Sequence, residues 1–278
     1  MDKILITGAG GFIGQSLANY LKKKKQNIYL TLNNKSKPIN IDFDKKKIFN
    51  IDLTKKKDVN KLFKILKPDT IIHLASPKRL SAKDDKASLK MIDNIVNAMN
   101  IKSTLVFTST DKVYANNPMK NTEYSLIKFN NLEFYERDKF LSERLIINKL
   151  NKYFIFRLPP THSNGQIKNK NFSFLDKQIY NLRKKKKIEV YKNIIRSFLK
   201  IDEFLAMIYK SVILNKGSLK YGIYNLGSPP ISYYDRLIQI ADSKKINKKN
   251  IIGTIGKIKP IKQKMDTRKI NLNGYFFT

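Results

Sequence analysis

Residues 4–14 carry the stretch Ile4-Leu5-Ile6-Thr7-Gly8-Ala9-Gly10-Gly11-Phe12-Ile13-Gly14, in which a short apolar run leads into a cluster of glycines. The run predicts a strand, and apolar residues at three- and four-residue spacing predict a helix from Phe12 to Lys24. Glycines at such a junction permit a tight turn, the close approach of a pyrophosphate, and close helix–strand packing. The free N–H groups at the start of the helix attract phosphate. The junction therefore predicts a dinucleotide-binding loop, in which the cofactor contacts Gly8, Gly11, Phe12, Ile13 and Gly14.

Strands and helices alternate after this loop through the first half of the chain. Apolar runs predict strands at 28–32, 47–51, 70–75, 103–108 and 153–158. Helical spacing of apolar residues predicts one helix capped by Thr54 and others at 89–99 and 131–149. Because the strands are continuous apolar runs, they are typical of a parallel sheet covered by helices on both faces. We predict an α/β fold with a doubly wound, Rossmann-type parallel sheet.

The pattern becomes looser after Pro159 and Pro160. Shorter helices and strands are predicted there, including a helix capped by Ser232. We assign residues 1–158 to a dinucleotide-binding domain, to which residues 196–215 return. Residues 159–278 then form mainly a small C-terminal substrate-binding lobe.

A large positive charge distinguishes the composition. The 278 residues include 56 Lys and Arg against 22 Asp and Glu, which gives a formal net charge of +34. Eight of the 56 are arginine, whereas proteins that read bases or grip phosphates prefer the planar fork of arginine. We therefore interpret the lysines as a solvated surface and expect no dedicated nucleic-acid partner, although such a field attracts polyanions.

Missing residue types exclude several kinds of site. The chain has no cysteine, which excludes disulfides, thiolate catalysis and iron–sulfur clusters, and its two histidines are too few for a histidine-rich metal site. No apolar run is long enough to cross a membrane, and the N-terminus enters strand-like sequence at once. We expect a cytoplasmic protein with no metal and no membrane association.

The residues after the second and third predicted strands bear on the choice of nucleotide. An acidic side chain about 20 positions beyond the first strand normally binds the adenosine ribose. Here the second strand ends in Thr31-Leu32-Asn33-Asn34-Lys35, without a carboxylate. Lys35 tolerates a 2′-phosphate and Asn33 is still able to bond a ribose hydroxyl, so NAD and NADP both remain open. Asp52 and Leu53 are placed to meet the adenine, although an Asp before a helix is equally a surface turn residue.

Three stretches resemble the extended short-chain dehydrogenase/reductase family, the nucleotide-sugar epimerases and dehydratases. They are the T-G-x-x-G-x-x-G loop at 7–14, Lys67-Pro68-Asp69-Thr70-Ile71-Ile72-His73-Leu74-Ala75-Ser76, and Val106-Phe107-Thr108-Ser109-Thr110-Asp111-Lys112-Val113-Tyr114. The resemblance continues to Asp266 and covers nearly the whole chain. It implies that NAD or NADP is the cofactor and that Leu74 and Ala75 contact it.

The family's catalytic signature Y-x-x-x-K occurs four times, and chance alone predicts about 2.4 matches among 14 tyrosines and 48 lysines. Sequence context separates the matches. Tyr135/Lys139 lies 25 residues after Thr110, a spacing similar to the family's. Tyr124/Lys128 falls in a predicted loop and is the second choice. The resemblance thus implies Thr110, Tyr135 and Lys139 as catalytic residues, and it implies that Tyr135 and Lys139 also contact the cofactor.

Helix geometry explains the spacing of Tyr135 and Lys139, because positions four apart share one face. We expect the Lys139 ammonium to lower the pKa of the Tyr135 phenol from about 10. The phenolate then takes a proton from a sugar hydroxyl while the nicotinamide accepts the hydride, and Thr110 hydrogen-bonds the same oxygen. The family's helix continues with Glu at the next turn, as Glu143 does here.

Three further residues resemble substrate contacts of the family. Asp111 and Lys112 resemble the proton-transferring pair of one dehydratase subtype, and a surface loop pair in an epimerase or reductase is the alternative. Arg196 resembles the arginine that binds the substrate pyrophosphate, and a surface salt bridge is the alternative.

The resemblance implies an NAD(P)-dependent epimerase or dehydratase that acts on a nucleotide-activated sugar by oxidation at C4. An NADPH-dependent reductase of a 4-keto nucleotide sugar is the alternative, favoured by the missing ribose carboxylate. A non-catalytic RNA- or polyanion-binding protein on the same fold is a distant alternative. Dimers of the family imply a homodimer here, formed through the helices near 88–100 and 131–149.

Overall fold

The computed structural model describes residues 2–33, 43–77, 86–115, 117, 120–163, 173–214, 216–256 and 261–278. Its strands are, in chain order, β1 Ile4–Thr7, β2 Ile28–Leu32, β3 Ile48–Asn50, β4 Thr70–His73, β5 Thr104–Thr110, β6 Lys120–Asn121, β7 Tyr153–Leu158, β8 Thr161–His162, β9 Ile188–Tyr191, β10 Ile194–Arg196, β11 Leu199–Lys200, β12 Gly222–Asn225, β13 Ile231–Ser232, β14 Ile251–Thr254, β15 Ile261–Lys262 and β16 Lys264–Met265. Its helices are α1 Phe12–Lys23, α2 Lys56–Leu66, α3 Ala87–Ala98, α4 Phe134–Lys149, α5 Phe174–Arg183, α6 Ile201–Ile208, α7 Tyr233–Ser243 and α8 Arg268–Asn271. A short 3₁₀ turn, Asp111–Tyr114, follows β5.

Seven strands form the central sheet in the order β12-β7-β5-β4-β1-β2-β3. β1 lies between β2 and β4 and pairs in parallel with both, and the β2/β3 and β4/β5 pairs are parallel as well. The chain thus builds the sheet outward from β1 in both directions, which confirms the doubly wound parallel sheet. The direction of winding reverses between β1 and β4, and a ligand crevice lies outside the carboxyl ends of strands at such a point.

Apolar side chains hold helices against both faces of this sheet. Leu5, Ile71 and Leu105 point to one face and belong to a buried cluster with apolar residues of α2, α3 and α4. Side chains alternate along a strand, and α1 buries Leu17 and Leu21 outside that cluster, on the opposite face. None of the helices in the described ranges combines the length and the apolarity needed to cross a bilayer.

Two helices, α4 and α2, begin later in the chain than predicted, and hydrogen bonds near their N-termini explain why. α4 begins three residues later than predicted, because Glu133 and Glu136 form a capping box in which the Glu133 N–H donates to the Glu136 carboxylate at 2.7 Å. Carboxylates suit this place, since a helix N-terminus carries partial positive charge. The predicted cap of α2 at Thr54 is wrong. Its hydroxyl donates to Asp52 at 2.7 Å, and α2 starts two residues later.

Buried polar side chains on the inner face of α4 fix this helix in place. Arg157 of β7 donates from Nε to Glu143 Oε1 at 3.1 Å and from Nη2 to Glu143 Oε2 at 2.7 Å, and both side chains are almost fully buried. Asp138 accepts the N–H groups of Ser88 and Leu89, each at 2.8 Å, and so caps the start of α3. These contacts set the position of α4 against β7 and α3.

The chain divides into two compact units. The first unit comprises Met1–Val113, Ile127–Arg157 and Lys216–Tyr224, and the second comprises Tyr114–Leu126, Leu158–Asn215 and Asn225–Thr278. Residues 196–215, assigned to the first domain from the sequence, fall in the second unit. Apolar residues of α5, α7, β9 and β14 form a buried cluster of the second unit. Ser232 caps α7 as predicted, and its hydroxyl oxygen accepts the Asp235 N–H at 2.9 Å.

The buried pair of Glu143 and Arg157 makes a testable contribution to stability. We expect Glu143→Gln to lower the free energy of unfolding by about 3–5 kcal/mol, because it leaves a buried guanidinium without its counter-charge. The double variant Glu143→Leu/Arg157→Met removes both charges and is expected to lose much less. Urea unfolding followed by circular dichroism measures both variants. If Glu143→Gln proved as stable as the wild type, that result would contradict the contribution of the buried ion pair to stability.

Candidate functional site

The crevice at the carboxyl ends of β1 and β4 begins with the glycine loop. Gly8 has φ +69°, the left-handed region that favours glycine, and a Cβ there would lie 2.6 Å from the backbone of Ala75. At Gly14 a Cβ would lie 2.3 Å from the carbonyl oxygen of Gly8. Contacts within the chain therefore require these two glycines, since the loop touches the end of β4 and the first turn of α1 touches the loop.

Gly11 differs from these two glycines because no such contact requires it. Among the described residues, a Cβ at Gly11 would meet the Gly8 carbonyl oxygen at 3.4 Å, an ordinary contact, and the residue is exposed. Gly11 precedes α1, whose start has neither a side-chain cap nor an acidic residue in its first turn, formed by the half-buried Phe12 and Ile13 and the buried Gly14. Free backbone donors and positive potential at an exposed glycine fit the pyrophosphate of a dinucleotide.

Other residues predicted to contact a cofactor lie at the same edge of the sheet. Leu74 and Ala75 directly follow β4, and Ala75 forms one wall of the glycine loop at Gly8. Asn33 directly follows β2 and is exposed. The carboxyl ends of β1, β2 and β4 meet at one edge because the three strands are parallel. The other residue considered for nucleotide choice, Lys35, lies outside the described residues.

Asp52 and Leu53 follow β3 and have structural contacts. Asp52 Oδ1 accepts the Thr54 N–H at 3.0 Å and the Thr54 hydroxyl at 2.7 Å, which forms a turn before α2. The Leu53 side chain is buried in the cluster beneath α2, and its carbonyl accepts from Asn94 Nδ2 at 2.9 Å. This turn therefore stands between the edge of the sheet and α3.

Thr110, Asp111 and Tyr135 come together at the end of β5. Thr110 is the last residue of β5, and its hydroxyl lies beside the phenol of Tyr135 in the first turn of α4, where it acts to lower the pKa of that phenol. Thr110 Oγ1 also donates to Asp111 Oδ1 at 3.3 Å and accepts the Lys112 N–H at 3.3 Å. Asp111 is buried, with 2% of its surface exposed. The phenol of Tyr135, the hydroxyl of Thr110 and the buried side chain of Asp111 thus lie together at the end of β5.

The pKa of Tyr135 moves in the direction opposite to the one expected from the sequence. Burial raises the pKa of Tyr135 to about 12, and the negative charge of Asp111 is the second cause of the rise. The hydrogen bond with Thr110 lowers the pKa by less than these two effects raise it. The Lys139 ammonium instead donates to the Thr108 carbonyl at 3.1 Å. The phenol therefore stays protonated at neutral pH.

Lys139 and His73 are both fully buried beside the Phe107 ring. The Lys139 ammonium lies 4.7 Å from the centre of that ring, and burial lowers its pKa to about 8. His73 Nδ1 lies 2.8 Å from the Thr7 hydroxyl, and burial, with Lys139 as a second cause, lowers the pKa of His73 to about 3. His73, the last residue of β4, is thus neutral.

The predicted substrate contacts lie in different units. Lys112 is half-exposed in the first unit, with Nζ 3.6 Å from Glu136 Oε1. Arg196 belongs to β10 in the second unit, where it is buried and donates from Nη2 to Gln263 Oε1 at 3.0 Å. Because the Arg196 side chain is buried, the alternative of a surface salt bridge does not fit it.

The second-choice pair of Tyr124 and Lys128 has no shared helix face. Tyr124 is 84% exposed in a turn and belongs to the second unit, whereas Lys128 belongs to the first. Sequence reasoning missed Asp138, whose carboxylate lies one turn after Tyr135 and caps α3. The sequence shows that Asp138 lies one helical turn after Tyr135. It does not indicate that this carboxylate accepts hydrogen bonds from N–H groups far away in the chain.

A protein-family model and one curated relative match the chain. The model described as the NAD dependent epimerase/dehydratase family matches residues 4–227. A dTDP-D-glucose 4,6-dehydratase of Dictyostelium discoideum is 28% identical over 267 residues, a match that covers 82% of this chain. The chain spans 58% of that relative's length.

Solved structures share the fold over nearly the whole chain. A dTDP-4-dehydrorhamnose reductase from Bacillus anthracis in complex with NADP has a TM-score of 0.76 at 22% identity, covering 100% of this chain and 94% of that one. A UDP-glucose 4-epimerase from Thermotoga maritima with UDP-glucose has a TM-score of 0.80 at 15% identity, covering 99% and 94%. At these identities the likeness shows the fold.

Because Gly11 and Gly14 differ in their surroundings, we expect substitution by alanine to change the free energy of unfolding differently at the two positions. Gly14→Ala is expected to lower the free energy of unfolding by about 1–3 kcal/mol, because its Cβ overlaps backbone that cannot move aside. Gly11→Ala is expected to stay within about 0.5 kcal/mol of the wild type, because its Cβ has room and its φ is ordinary. Urea unfolding of both variants measures this. Equal losses would contradict the geometry of the loop.

Proposed function

Because the chain belongs to the NAD dependent epimerase/dehydratase family, we propose that it is an NAD(P)-dependent enzyme that epimerises or dehydrates the sugar of a nucleotide sugar. The observation that carries the proposal is the series of Tyr135, Thr110 and Asp111 at the carboxyl end of β5. It lies at the same edge of the sheet as an exposed glycine loop with free helix donors. A proton-transferring group beside a dinucleotide loop is what oxidation and reduction of a sugar hydroxyl require.

Each residue of the first unit takes a role that its position supports. Bound NAD or NADP supplies the hydride acceptor or donor of the reaction. Gly11 and the first turn of α1 hold its pyrophosphate, and Asn33 bonds its ribose. Tyr135 exchanges a proton with the sugar oxygen at C4, and Thr110 hydrogen-bonds the phenol. Lys139 stabilises the end of β5 through the Thr108 carbonyl, which keeps Thr110 in place.

Lys112 and Arg196 are the two side chains that we assign to substrate binding. Lys112, half-exposed beside the catalytic series, offers a cation for the sugar-nucleotide substrate. Arg196 offers a guanidinium for the substrate pyrophosphate, a geometry that a planar fork suits. Asp111 is buried, so we place its action on Thr110 rather than on the sugar.

A second candidate is an NADPH-dependent reductase of a 4-keto nucleotide sugar. The lack of a carboxylate in the residues directly after β2 favours it. Asn33 in place of an acidic residue accommodates the 2′-phosphate of NADPH without repulsion. Both candidates use the same residues, and they differ in the direction of the first hydride transfer.

The outer face of α4 supports a homodimer. Apolar side chains on this helix stay half-buried or exposed, among them Phe134, Phe140 and Leu141. Its inner face carries the buried polar residues instead. A helix with its apolar residues outward is covered by a partner in the assembled protein, and a second copy of α4 is the partner we propose.

The test of the function compares two tyrosines. The wild type, with NAD, or with NADPH for the reductase, is expected to convert dTDP-glucose, UDP-glucose or their 4-keto forms, followed by cofactor absorbance and by chromatography of the sugar nucleotides. Tyr135→Phe is expected to lose about 10²-fold or more in turnover, because it removes the proton-transferring oxygen. Tyr124→Phe, the matched control, is expected to turn over like the wild type. Equal activity of both variants would contradict the assignment of Tyr135.

The oligomeric state has its own test. Light scattering is expected to give a mass twice the 32.4 kDa of the chain. Leu141→Glu on the outer face of α4 is expected to give the single mass, because a charge in an apolar interface is costly to bury. Ile65→Glu, on an exposed position of α2, is the matched control and is expected to stay dimeric. A monomeric wild type would remove the dimer from the proposal.

A further inference from the structure

An open cavity of about 540 Å³ lies at the edge of the central sheet where its strands begin. Its lining comes from the last turns of α2 and α3 and from the residues that follow them, just before β4 and β5 start. The glycine loop and Thr110 lie at the opposite edge, because β1, β4 and β5 are parallel. A cavity of this size is within the range of small-molecule sites. The proposed function uses none of its lining residues.

The deepest residues of this cavity are apolar, and its rim carries amide groups. Phe63 and Pro68 are buried lining residues, and Met99 is half-buried. Phe63 and Met99 also pack in the core beneath α2 and α3, which holds this apolar floor in place. The rim carries three asparagine side chains, Asn60, Asn97 and Asn100. Such a site suits a flat heterocyclic base, since apolar groups cover its face and amides bond its edge.

Two lysines, Lys64 and Lys67, line the same cavity, and its lining contains no Asp or Glu. Both side chains are exposed, and within the described residues neither ammonium group has a hydrogen bond or an ion pair. Lysines are common at helix ends, because the last carbonyls carry partial negative charge. Here Lys3 already provides that contact, since its Nζ donates to the Leu66 carbonyl at 3.1 Å. Lys64 and Lys67 thus remain available to an anion.

The carboxylates near the cavity are already bound to positive or donor groups of the chain. Asp93 lies 3.1 Å from the Lys149 ammonium, which also donates to Asn97 Oδ1 at 3.2 Å. Asp69 accepts the backbone N–H of Lys3 at 2.8 Å. A negative ligand therefore meets little repulsion at this edge, and the lysines attract it.

We propose that this cavity is a second ligand site, which binds a mononucleotide with its base on the apolar floor and its phosphate at Lys64 and Lys67. A phosphate monoester carries nearly two negative charges at neutral pH, which matches two ammonium groups. The amides of Asn60 and Asn100 bond the edge of the base. Because the site lies at the edge away from the glycine loop, the nucleotide binds in addition to the dinucleotide cofactor. The inference does not rest on the proposed function.

A fluorescent reporter placed beside the cavity tests the site without interference from other nucleotide sites. The chain contains no tryptophan. Ile101→Trp introduces one at an 85% exposed position next to Asn100 and leaves the lining unchanged. AMP and UMP are each expected to change its fluorescence saturably at millimolar concentration or below. Inorganic phosphate and adenosine are expected to bind about tenfold more weakly or less, because each makes only part of the contacts.

Hydrogen exchange of the wild type provides a second readout that needs no reporter. AMP is expected to slow the exchange of amides at 60–68 and 97–102, which surround the cavity. The absence of both a saturable fluorescence change and this protection would overturn the site. Inorganic phosphate that binds as tightly as AMP would overturn the nucleotide as its ligand.

Paired lysine variants separate a site from a diffuse positive field. Made in the Ile101→Trp protein, Lys64→Gln/Lys67→Gln is expected to weaken AMP binding by about tenfold or more, because hydrogen bonds to a charged phosphate are lost. Lys56→Gln/Lys57→Gln removes the same charge from exposed positions at the other end of α2. This matched control is expected to stay within about twofold, since distant surface charges are screened. Equal weakening in the two double variants would overturn the proposal.

Discussion

The buried polar face of α4 is the constraint on which the site depends. A helix that takes Asp138, Lys139 and Glu143 out of water must give each of them a partner, because an unpaired buried charge costs several kcal/mol. The partners come from three different elements: the start of α3, the end of β5, and β7. Three fixed points determine both the position and the rotation of a helix. Tyr135, in the first turn, is thereby held against Thr110.

The same constraint links stability to chemistry. The ion pair of Glu143 and Arg157 is needed because both side chains are buried. Burial also keeps water away from Tyr135 and Lys139. It raises the pKa of Tyr135 and lowers that of Lys139, so it favours the uncharged form of each. A site arranged in this way does not hold a permanent phenolate. It holds a neutral phenol close to the Thr110 hydroxyl and to the buried side chain of Asp111.

The fold was predictable from the sequence, and the reasons are local. The glycine stretch at 8–14 and the continuous apolar strands each have one physical interpretation, and the observed sheet follows from them. The position of Tyr135 on a helix and that of Tyr124 in a loop were also predictable, because the two residues lie at different distances from Thr110 in the sequence. The structure places Tyr135 on α4 and Tyr124 in an exposed turn.

The electrostatics of the site were not predictable, because they depend on contacts between distant residues. Spacing of four places Lys139 on the same helix face as Tyr135, but it does not say that the ammonium turns to the Thr108 carbonyl. Burial of Asp111 beside the phenol is likewise a property of how β5 ends against α4. α4 also lacks the usual apolar stripe, because its inner face is polar. The spacing of apolar residues therefore could not predict which elements α4 packs against.

The central claim is that the chain holds a nicotinamide dinucleotide at the glycine loop and uses it in catalysis. The most direct measurement is to denature the purified protein and to quantify the NAD(H) and NADP(H) that it releases, followed by titration of the emptied protein with each cofactor. The account predicts either near-stoichiometric release of NAD or, for the reductase, an empty protein that binds NADPH in preference to NADH. A protein that neither carries a cofactor nor binds one at millimolar concentration would contradict the account.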